Sequence, residues 1–341
     1  MTGTNRIEVL DGWRGLAILL VLVGHFTFSG WIWEERMGVD VFFVLSGLLI
    51  SKILFIDRIS LKDFYVRRLS RVMPTLIVFL CAAAFISVLL KYDFKIIEFF
   101  ASLFFIRTYF PSVPEYFTSP LPTGHLWSLS VEEHSYVLMS IMAVFLITRR
   151  KVTFMLLAIY VASVAVNLMN FNQLPNEAFT YSLIRTESAI GFIAFSGGYS
   201  LLKTELDIKL PAYTAPLFLL LAAICYIDAL PIWLTFIFGP VFLGVAVNHL
   251  VDSSRQFSSL LMFFPLRQLG IMSYSIYLWQ QIFYKLYYTL PGGPVTGFVL
   301  SIMVGAGSYY VIENPLRHYI NRRWSPNPVY RRNIDLTTVS N

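Results

Sequence analysis

The chain has 341 residues, of which 57% are hydrophobic and only 13% are charged, and its mean hydropathy is +0.66. A soluble domain carries about a quarter charged residues, so this composition excludes an ordinary soluble globular protein. The net charge of +6 is accounted for by basic loops between apolar runs, so it does not indicate nucleic-acid binding.

Apolar runs of roughly 18 residues or more recur along the chain, and each is long enough to cross a bilayer core of about 30 Å. The first run lacks a small-residue cleavage site and is closely followed by a second, so it does not fit a cleaved signal peptide. Cys81 and Cys225 lie within apolar runs and are expected to be free thiols. The pattern predicts an all-α, polytopic membrane protein with about ten transmembrane helices. They are expected near 10–28, 38–56, 72–91, 128–148, 152–170, 178–201, 211–227, 231–249, 269–289 and 294–312.

Lysines and arginines in the loops indicate the orientation of these helices. With the N-terminus in the cytoplasm, nineteen of them fall in inner loops or tails, and only Arg36, Lys91, Lys95 and Arg107 fall outside. Cytoplasmic loops are enriched in these residues, so both termini are predicted to be cytoplasmic. We expect a membrane domain over 1–316 and a polar, basic cytoplasmic tail over 317–341.

The first apolar run, LDGWRGLAILLVLVGHF, contains Arg14 and His25. An ionisable residue within a span costs about 2.5–3.5 kcal/mol on the milder scales, so both are candidate functional residues. Their separation amounts to about three helical turns, which places both on one face, roughly 16 Å apart along the axis. The same pattern also fits an arginine that snorkels to lipid phosphates and an interfacial histidine.

Asp40 enters the second span in the stretch GVDVFFVLSGLLIS. The hairpin between the first two spans can bring its carboxylate to the depth of His25, where it would select the histidine tautomer. An N-cap aspartate that binds the first turn of the helix is the other interpretation. The sequence leaves both open.

Three arginines follow the second span in the stretch DFYVRRLSRVMP, at the predicted cytoplasmic surface. The planar guanidinium groups of Arg67, Arg68 and Arg71 suit phosphate, so the cluster is a candidate site for a phosphate-rich cytosolic ligand. The same cluster also fits a topology signal without a binding role.

The fourth span begins with HLWSLSVEEHSYVL, which places Glu132, Glu133 and His134 within about 10 Å of the outer surface. Neighbouring helical residues diverge by about 100°, so the two carboxylates are not expected to share one partner. Arg185 and Glu187, in IRTESAIGF, are expected to form a buried pair of opposite charge, with a structural or a functional role.

Six stretches together resemble, in their order along the chain, the acyltransferase-3 family of integral-membrane O-acyltransferases: LDGWRGLAILLVLVGHF, GVDVFFVLSGLLIS, RRLSRVMP, HLWSLSVEEHSY, SYSIYLWQQ and IENPLRHY. The resemblance covers nearly the whole chain, and we expect a stand-alone member without a fused esterase-like domain. It implies transfer of an acyl group, usually acetyl, from cytosolic acyl-coenzyme A to a carbohydrate hydroxyl. The acceptor would be extracytoplasmic or lipid-linked, such as a surface polysaccharide or O-antigen.

Position by position, the resemblance implies that His25, paired with Arg14, is the catalytic base, and that Arg67, Arg68 and Arg71 bind the donor. Asp40 and Glu132 are placed in the catalytic group with them. Residues expected to shape the site or contact the acceptor are Trp127, Ser128, Glu133, Arg185, Tyr274, Tyr277 and Gln280.

The chain departs from the family pattern at two positions. Gln280 follows the YLW triplet where many members have histidine, and His134 stands where glutamine is common. These departures speak against a proton-transfer role for the ninth span and leave the pair in the first helix intact.

The expected partners are acetyl-coenzyme A or another acyl-coenzyme A as donor, a carbohydrate acceptor and membrane lipids, without a metal or nucleic acid. The expected location is the bacterial cytoplasmic membrane. A proton-coupled transporter or flippase of a lipid-linked sugar is the alternative function, because such proteins also use buried histidine, glutamate and arginine. It would leave no covalent product.

Overall fold

The computed structural model describes residues 3–27, 32–92, 94–110, 121–145 and 148–324. Within these ranges the secondary structure is helical, and extended pairing is confined to an isolated bridge between Ile32 and Ile227. The all-α prediction is therefore confirmed. Cys81 and Cys225 are free thiols, as expected.

The helices are numbered in chain order. They are α1 (Gly3–Phe26), α2 (Glu34–Ser51), α3 (Leu61–Leu89), α4 (Ile96–Leu103), α5 (Trp127–Phe145), α6 (Arg149–Gln173), α7 (Asn176–Ser182), α8 (Thr186–Leu206), α9 (Thr214–Cys225), α10 (Trp233–Asn248), α11 (Arg255–Leu261), α12 (Phe264–Ile271), α13 (Ser273–Leu286), α14 (Gly293–Ser308) and α15 (Asn314–Trp324). Short π-helical segments extend α2 over Lys52–Ile56 and α14 over Tyr309–Glu313, and a 3₁₀ turn at Gly124–Leu126 leads into α5.

Every predicted span overlaps one of these helices. Among the described residues, five helical stretches are long and apolar enough to cross a membrane, namely Glu8–Phe26, Glu34–Ile56, Leu61–Leu89, Arg149–Gln173 and Gly293–Trp324. Thr214–Cys225 and Trp233–Asn248 are shorter apolar helices. The chain is thus a helical protein of membrane character, and the number of about ten spans stays a prediction.

The helix that carries the arginine cluster begins at a capping residue. Ser60 accepts a hydrogen bond from the backbone N–H of Asp63 at 3.1 Å, and its hydroxyl donates to the Asp63 carboxylate at 2.9 Å. These bonds satisfy donors that the first turn would otherwise leave unpaired. They fix the start of α3, and with it the position of the cluster one to three turns later.

Close packing between α1 and the α11–α12 segment fixes the inner half of α1. Gly12 and Gly15 pass directly over the backbone carbonyls of Leu261 and Leu266, and Gly270 passes over that of Asp11. A Cβ at any of these glycines would overlap a backbone oxygen, so only glycine permits this approach. Asp11 and the neighbouring Arg14 are held against α12 as a result.

The predicted tail is partly helical. Helix α15 packs against α3 and runs across position 316, where the membrane domain was expected to end. The domain boundary stays a prediction. Residues 325–341, the rest of that tail, lie outside the described residues.

Candidate active site

A cavity of about 590 Å³ lies between α1, α2, α3, α5, α12, α13, the end of α14 and α15. Its ionisable and hydroxyl-bearing lining side chains are Asp11, Arg14, Ser46, Arg67, Arg68, Arg71, Ser128, Glu132, Tyr136, Ser273, Tyr274, Tyr277, Tyr309 and Arg317. Five of them are arginines, from three different helices. The cavity therefore joins residues that the sequence assigned separately to the donor, the catalytic group and the acceptor.

His25 and Gln280 are not part of this lining but lie close to it in the helices α1 and α13. Nδ1 of His25 is 2.8 Å from Oε1 of Gln280, and Nε2 of Gln280 donates to Oε1 of Gln281 at 3.3 Å. The second bond orients the amide so that its oxygen faces the histidine. Because an amide oxygen can only accept, Nδ1 of His25 carries the hydrogen and Nε2 keeps its lone pair. Gln280 thus selects the tautomer that can act as a base at Nε2.

Helical spacing relates this pair to the cavity. Tyr277 lines the cavity and lies three residues before Gln280 on α13, which is about one helical turn. Arg14 lines it as well and lies about three turns before His25 on α1. The cavity therefore extends from Arg14 to within about a turn of the His25–Gln280 pair.

Arg68 binds both glutamates of the WSLSVEE stretch. Its Nη2 contacts Oε2 of Glu132 at 2.6 Å, and its Nε contacts Oε1 of Glu133 at 2.6 Å. The expectation that adjacent carboxylates would not share a partner is wrong. One edge of a guanidinium presents two hydrogens to two different acceptors, so a single arginine can span the divergence between neighbouring residues.

Further contacts hold Glu132 in this network. Ser46 donates to its Oε1 at 2.8 Å, and Tyr136 donates to its Oε2 at 3.1 Å. The guanidinium of Arg68 also lies over the Tyr136 ring, 4.6 Å from its centroid. This network joins α2, α3 and α5, so the predicted inner arginine cluster and the predicted outer glutamates meet instead of lying on opposite sides.

The other cavity arginines have weaker or more local partners. Arg14 donates to Asp11 at 2.6 Å within α1, and Arg71 lies 3.8 Å from Glu313, a residue held by Ser275 at 2.7 Å. Each of these contacts uses one nitrogen of a guanidinium group that carries five donor hydrogens. Arg67 and Arg317 line it too. The cavity arginines other than Arg68 form what we call the inner cation group: Arg14, Arg67, Arg71 and Arg317.

Asp40 is not placed as expected from either interpretation. Helix α2 begins at Glu34, so Asp40 lies within the helix and is not its N-cap. Its carboxylate accepts from Nε of Arg36 at 2.9 Å and from the Tyr226 hydroxyl at 2.8 Å, and it is fully buried. Arg36 precedes Asp40 by one turn on the same helix face, so its guanidinium is close enough to bind the Asp40 carboxylate. A catalytic role for Asp40 stays a prediction without geometric support.

Trp127 belongs to the surroundings of that pair. Its ring lies under the guanidinium of Arg36 at 5.2 Å and packs edge-on against Phe43 at 5.8 Å. Arg36 also donates to the backbone carbonyl of Leu183 at 3.1 Å. Trp127 therefore supports the packing of α2 against α5 and does not line the cavity.

Arg185 and Glu187 are exposed, so the expected buried pair is wrong. Helix α7 ends at Ser182 and α8 begins at Thr186, so Arg185 occupies the N-cap position of α8 instead of the interior of a span. Glu187 accepts a hydrogen bond from Tyr109 at 2.7 Å. His134 likewise lies outside the cavity lining, with Nδ1 2.7 Å from the Thr186 hydroxyl.

Ser128, Tyr274 and Tyr277 line the cavity where α5 meets α13. The hydroxyls of Ser128 and Tyr277 are 2.6 Å apart, and both lie within 3.1 Å of the His125 carbonyl oxygen. Tyr274 donates to the Val72 carbonyl at 2.9 Å. These hydroxyls tie the start of α5 to α13 at the point where α13 presents Gln280.

Several lining residues were not singled out from the sequence. Ser46 and Arg317 lie in quoted stretches, but neither spacing nor charge distinguishes them from ordinary interfacial residues. Glu313 carried a usable signal, because an acidic residue in the apolar run YYVIENP needs a partner. The structure supplies that partner as Arg71.

Comparison with known proteins agrees with this arrangement. Residues 7–313 match the family model described as an acyltransferase domain, acyltransferase-3. The chain is 26% identical to the O-acetyltransferase OatA of Staphylococcus aureus strain NCTC 8325, over 93% of this chain and 58% of that protein. OatA of strain COL aligns to the same extent. A provisionally named O-acetyltransferase of strain COL is 34% identical over 48% of this chain and 30% of its own length.

The chain thus spans 58% of the length of the OatA proteins it matches. No solved structure matches it. The family match nevertheless covers α1 through the π-helical end of α14, which includes most residues of the cavity as well as His25 and Gln280. On this match, the chain belongs to the acyltransferase-3 domain family.

Proposed function

We propose that this protein is a membrane O-acyltransferase. It transfers an acyl group, which we take to be acetyl, from cytosolic acyl-coenzyme A to a hydroxyl of an extracytoplasmic or lipid-linked carbohydrate. The observation that carries the proposal is the 2.8 Å contact between Nδ1 of His25 and Oε1 of Gln280. Gln280 holds Nδ1 as the donor, which leaves Nε2 as a base within about a turn of an arginine-lined cavity. The printed names of the relatives, O-acetyltransferases, favour acetyl as the group transferred.

The inner cation group suits the phosphates of coenzyme A. Guanidinium groups bind phosphate oxygens through short, charge-assisted and often paired hydrogen bonds. Arg14, Arg71 and Arg317 come from three different helices and line the same cavity, so one polyanion can contact all three. The volume of about 590 Å³ lies within the usual range of roughly 300–1,000 Å³ for small-molecule sites. Arg68 is committed to two glutamates and is assigned a structural part in holding the cavity open.

The chemistry follows from the position of the base. As the acceptor hydroxyl oxygen attacks the thioester carbonyl carbon, its proton passes to Nε2 of His25. A C–O bond forms, the C–S bond breaks, and the proton is returned to the coenzyme A thiolate. A general base of this kind contributes about 10²–10⁴-fold to the rate. The same base serves direct transfer and transfer through an acyl-enzyme.

The proposed location is the bacterial cytoplasmic membrane, with several membrane-spanning helices and both termini in the cytoplasm. The support is the basic excess in the loops on the N-terminal side. Cysteines introduced at Lys151 and Ser119 test this with an impermeant thiol reagent on intact cells; Ser119 lies outside the described residues. We expect labelling at Ser119 and none at Lys151, and the opposite pattern would reverse the orientation.

The activity is tested by incubating the purified protein in nanodiscs with labelled acetyl-coenzyme A and glycans from the source bacterium. We expect labelled acetyl ester on glycan and one free coenzyme A per ester formed. Movement of glycan across a proteoliposome membrane without any ester would contradict the proposal and indicate the transporter. The His25→Ala protein, tested for normal membrane insertion, is the matched inactive control.

A further inference from the structure

A row of aromatic rings leads away from His25. The His25 ring lies 4.5 Å from the Tyr284 ring, Tyr284 lies 5.9 Å from Tyr287, and Tyr287 lies 4.1 Å from Tyr288, all measured between centroids. Successive rings are tilted by 30–34°. The row begins at the proposed base and ends at Tyr288, whose exposed fraction is 83%.

Of the three tyrosines in the row, one is buried and the two on either side of it are accessible. Tyr287 is buried, and its ring packs edge-on against Phe26 at 6.2 Å. Tyr284 is partly exposed, and its ring also packs edge-on against Phe26, at 6.1 Å. Tyr284 and Tyr288 therefore keep accessible ring surface, and the buried Tyr287 contacts both of them. We call Tyr284 and Tyr288 the tyrosine platform.

An acidic side chain stands beside the platform. A Cβ at Gly24, the residue before His25, would come within 2.5 Å of Oε2 of Glu35. The absence of a side chain at Gly24 therefore lets the Glu35 carboxylate reach the helix beside the base. A carboxylate thus lies next to the inner end of the ring row.

We propose that the tyrosine platform and Glu35 form a subsite for a pyranose ring of the acceptor, next to the sugar that reacts at His25. The inference rests on the proposed function, because it takes the acceptor to be a carbohydrate. The C–H groups on one face of a pyranose carry partial positive charge and pack against the negative face of an aromatic ring. A carboxylate accepts hydrogen bonds from hydroxyls at the sugar rim. The two kinds of side chain together recognise a neutral sugar ring.

Position separates this subsite from the donor site. Tyr284 and Tyr288 follow Gln280 on α13 and its 3₁₀ extension, whereas the inner cation group lies on the other side of the His25–Gln280 pair. None of the platform residues lines the donor cavity. The competing explanation for exposed tyrosines at a helix end is anchoring in the membrane interface, which does not require a particular ring order or a carboxylate.

The kinetic test uses Tyr288→Ala, because this exposed side chain can be removed without opening the interior. We expect the KM for the acceptor glycan to rise by about three- to tenfold, the size of a lost aromatic contact, while the Kd for acetyl-coenzyme A stays unchanged. Glu35→Gln should raise the same KM. Tyr213→Ala is the matched control, because Tyr213 is also exposed, at 64%, and lies in the turn before α9. An unchanged KM in Tyr288→Ala, or an equal change in Tyr213→Ala, would overturn the subsite.

A binding test separates failure of the subsite from failure of the proposed function. Saturation-transfer NMR is recorded on the protein in nanodiscs with the methyl glycosides of glucose, N-acetylglucosamine and rhamnose, without acetyl-coenzyme A. We expect transfer to at least one glycoside, lost in Tyr288→Ala and kept in Tyr213→Ala. Such binding in a protein that forms no acetyl ester would contradict the acyltransferase proposal but support the subsite. Binding that survives in Tyr288→Ala, or no binding to the wild-type protein, would remove the subsite whatever the activity.

Discussion

The two ends of helix α1 differ in the charge of the side chains that surround them. At the N-terminal end, which is the inner end in the proposed orientation, Arg14 is paired with Asp11 and lines a cavity that other arginines share. At the outer end, His25 has a neutral amide and an aromatic ring as its partners, Gln280 and Tyr284. The inner end therefore suits an anion, as proposed for the donor, and the outer end suits a neutral histidine, as proposed for the base.

The neutral partner at the outer end has a chemical reason. A carboxylate beside a histidine favours the protonated ring, which can no longer accept a proton. An amide on Nδ1 fixes the tautomer equally well without adding charge to that hydrogen bond. The Glu35 carboxylate lies one residue away, beside Gly24, whereas the partner of the His25 ring nitrogen is the neutral Gln280. The sequence led us to expect Asp40 in this position, but Arg36 and Tyr226 bind Asp40 instead. The separation of charged and neutral ends is therefore a property of the tertiary structure.

Between the two ends lies the bridge from Arg68 to Glu132 and Glu133. Replacing Arg68 with alanine would leave the buried carboxylate of Glu133 and the partly buried carboxylate of Glu132 without their shared partner. Breaking such a pair costs about 3–5 kcal/mol, the largest effect expected here. We predict a marked loss of thermal stability in detergent for Arg68→Ala, and recovery of part of it when Glu132→Gln and Glu133→Gln are added.

Arg150→Ala is the control for that measurement, because Arg150 is exposed at the start of α6 and changes net charge by the same amount. Equal melting temperatures for Arg68→Ala and Arg150→Ala would mean that the bridge does not stabilise the fold.

The inner end is tested through Arg71. Removing a charge-assisted contact to phosphate weakens binding by about 1.5–3 kcal/mol, or roughly ten- to a hundredfold in Kd. We predict this loss for coenzyme A binding to Arg71→Ala by calorimetry, and a smaller loss for Arg71→Lys, which keeps the charge without the planar fork. Arg322→Ala, on the exposed side of α15, should bind normally. Unchanged coenzyme A binding by Arg71→Ala would mean that the arginine cluster only sets the membrane topology and does not bind the donor.

The outer end is tested through Gln280. Groups that orient a histidine in metal sites contribute about ten- to a hundredfold, and we expect the smaller end of that range for Gln280→Ala. The rate of acetyl transfer should fall while the Kd for coenzyme A stays the same, because Gln280 lies outside the donor cavity. A fall in donor affinity with an unchanged transfer rate would show that Gln280 does not act through His25.

Features local to one stretch of sequence could be predicted, and long-range partners could not. Arg14 and His25 stand out in an apolar run, and the fixed rise of a helix gives their separation. Gln280 follows His25 by 255 positions, and Glu132 follows Arg68 by 64, so no helical period relates these pairs. Both contacts depend on which helices pack together.

Helix boundaries explain the remaining errors. The predicted sixth span, 178–201, joined α7 to α8 and therefore included Arg185. The break before Thr186 leaves that arginine exposed at a helix start. In α2 the helix begins six residues before Asp40, which moves the aspartate from the expected cap into the helix and beside Arg36. Hydropathy locates a helix but does not fix its ends to within a turn.

The most direct test of the account compares donor binding and transfer in one variant, His25→Ala. The account predicts a loss of about 10²–10⁴-fold in acetyl transfer, with coenzyme A binding and membrane abundance close to wild type, because His25 lies beyond the cavity that binds the donor. His134→Ala is the matched control, since His134 is a partly exposed histidine outside that cavity. A His25→Ala protein that transfers acetyl at the wild-type rate would contradict the account.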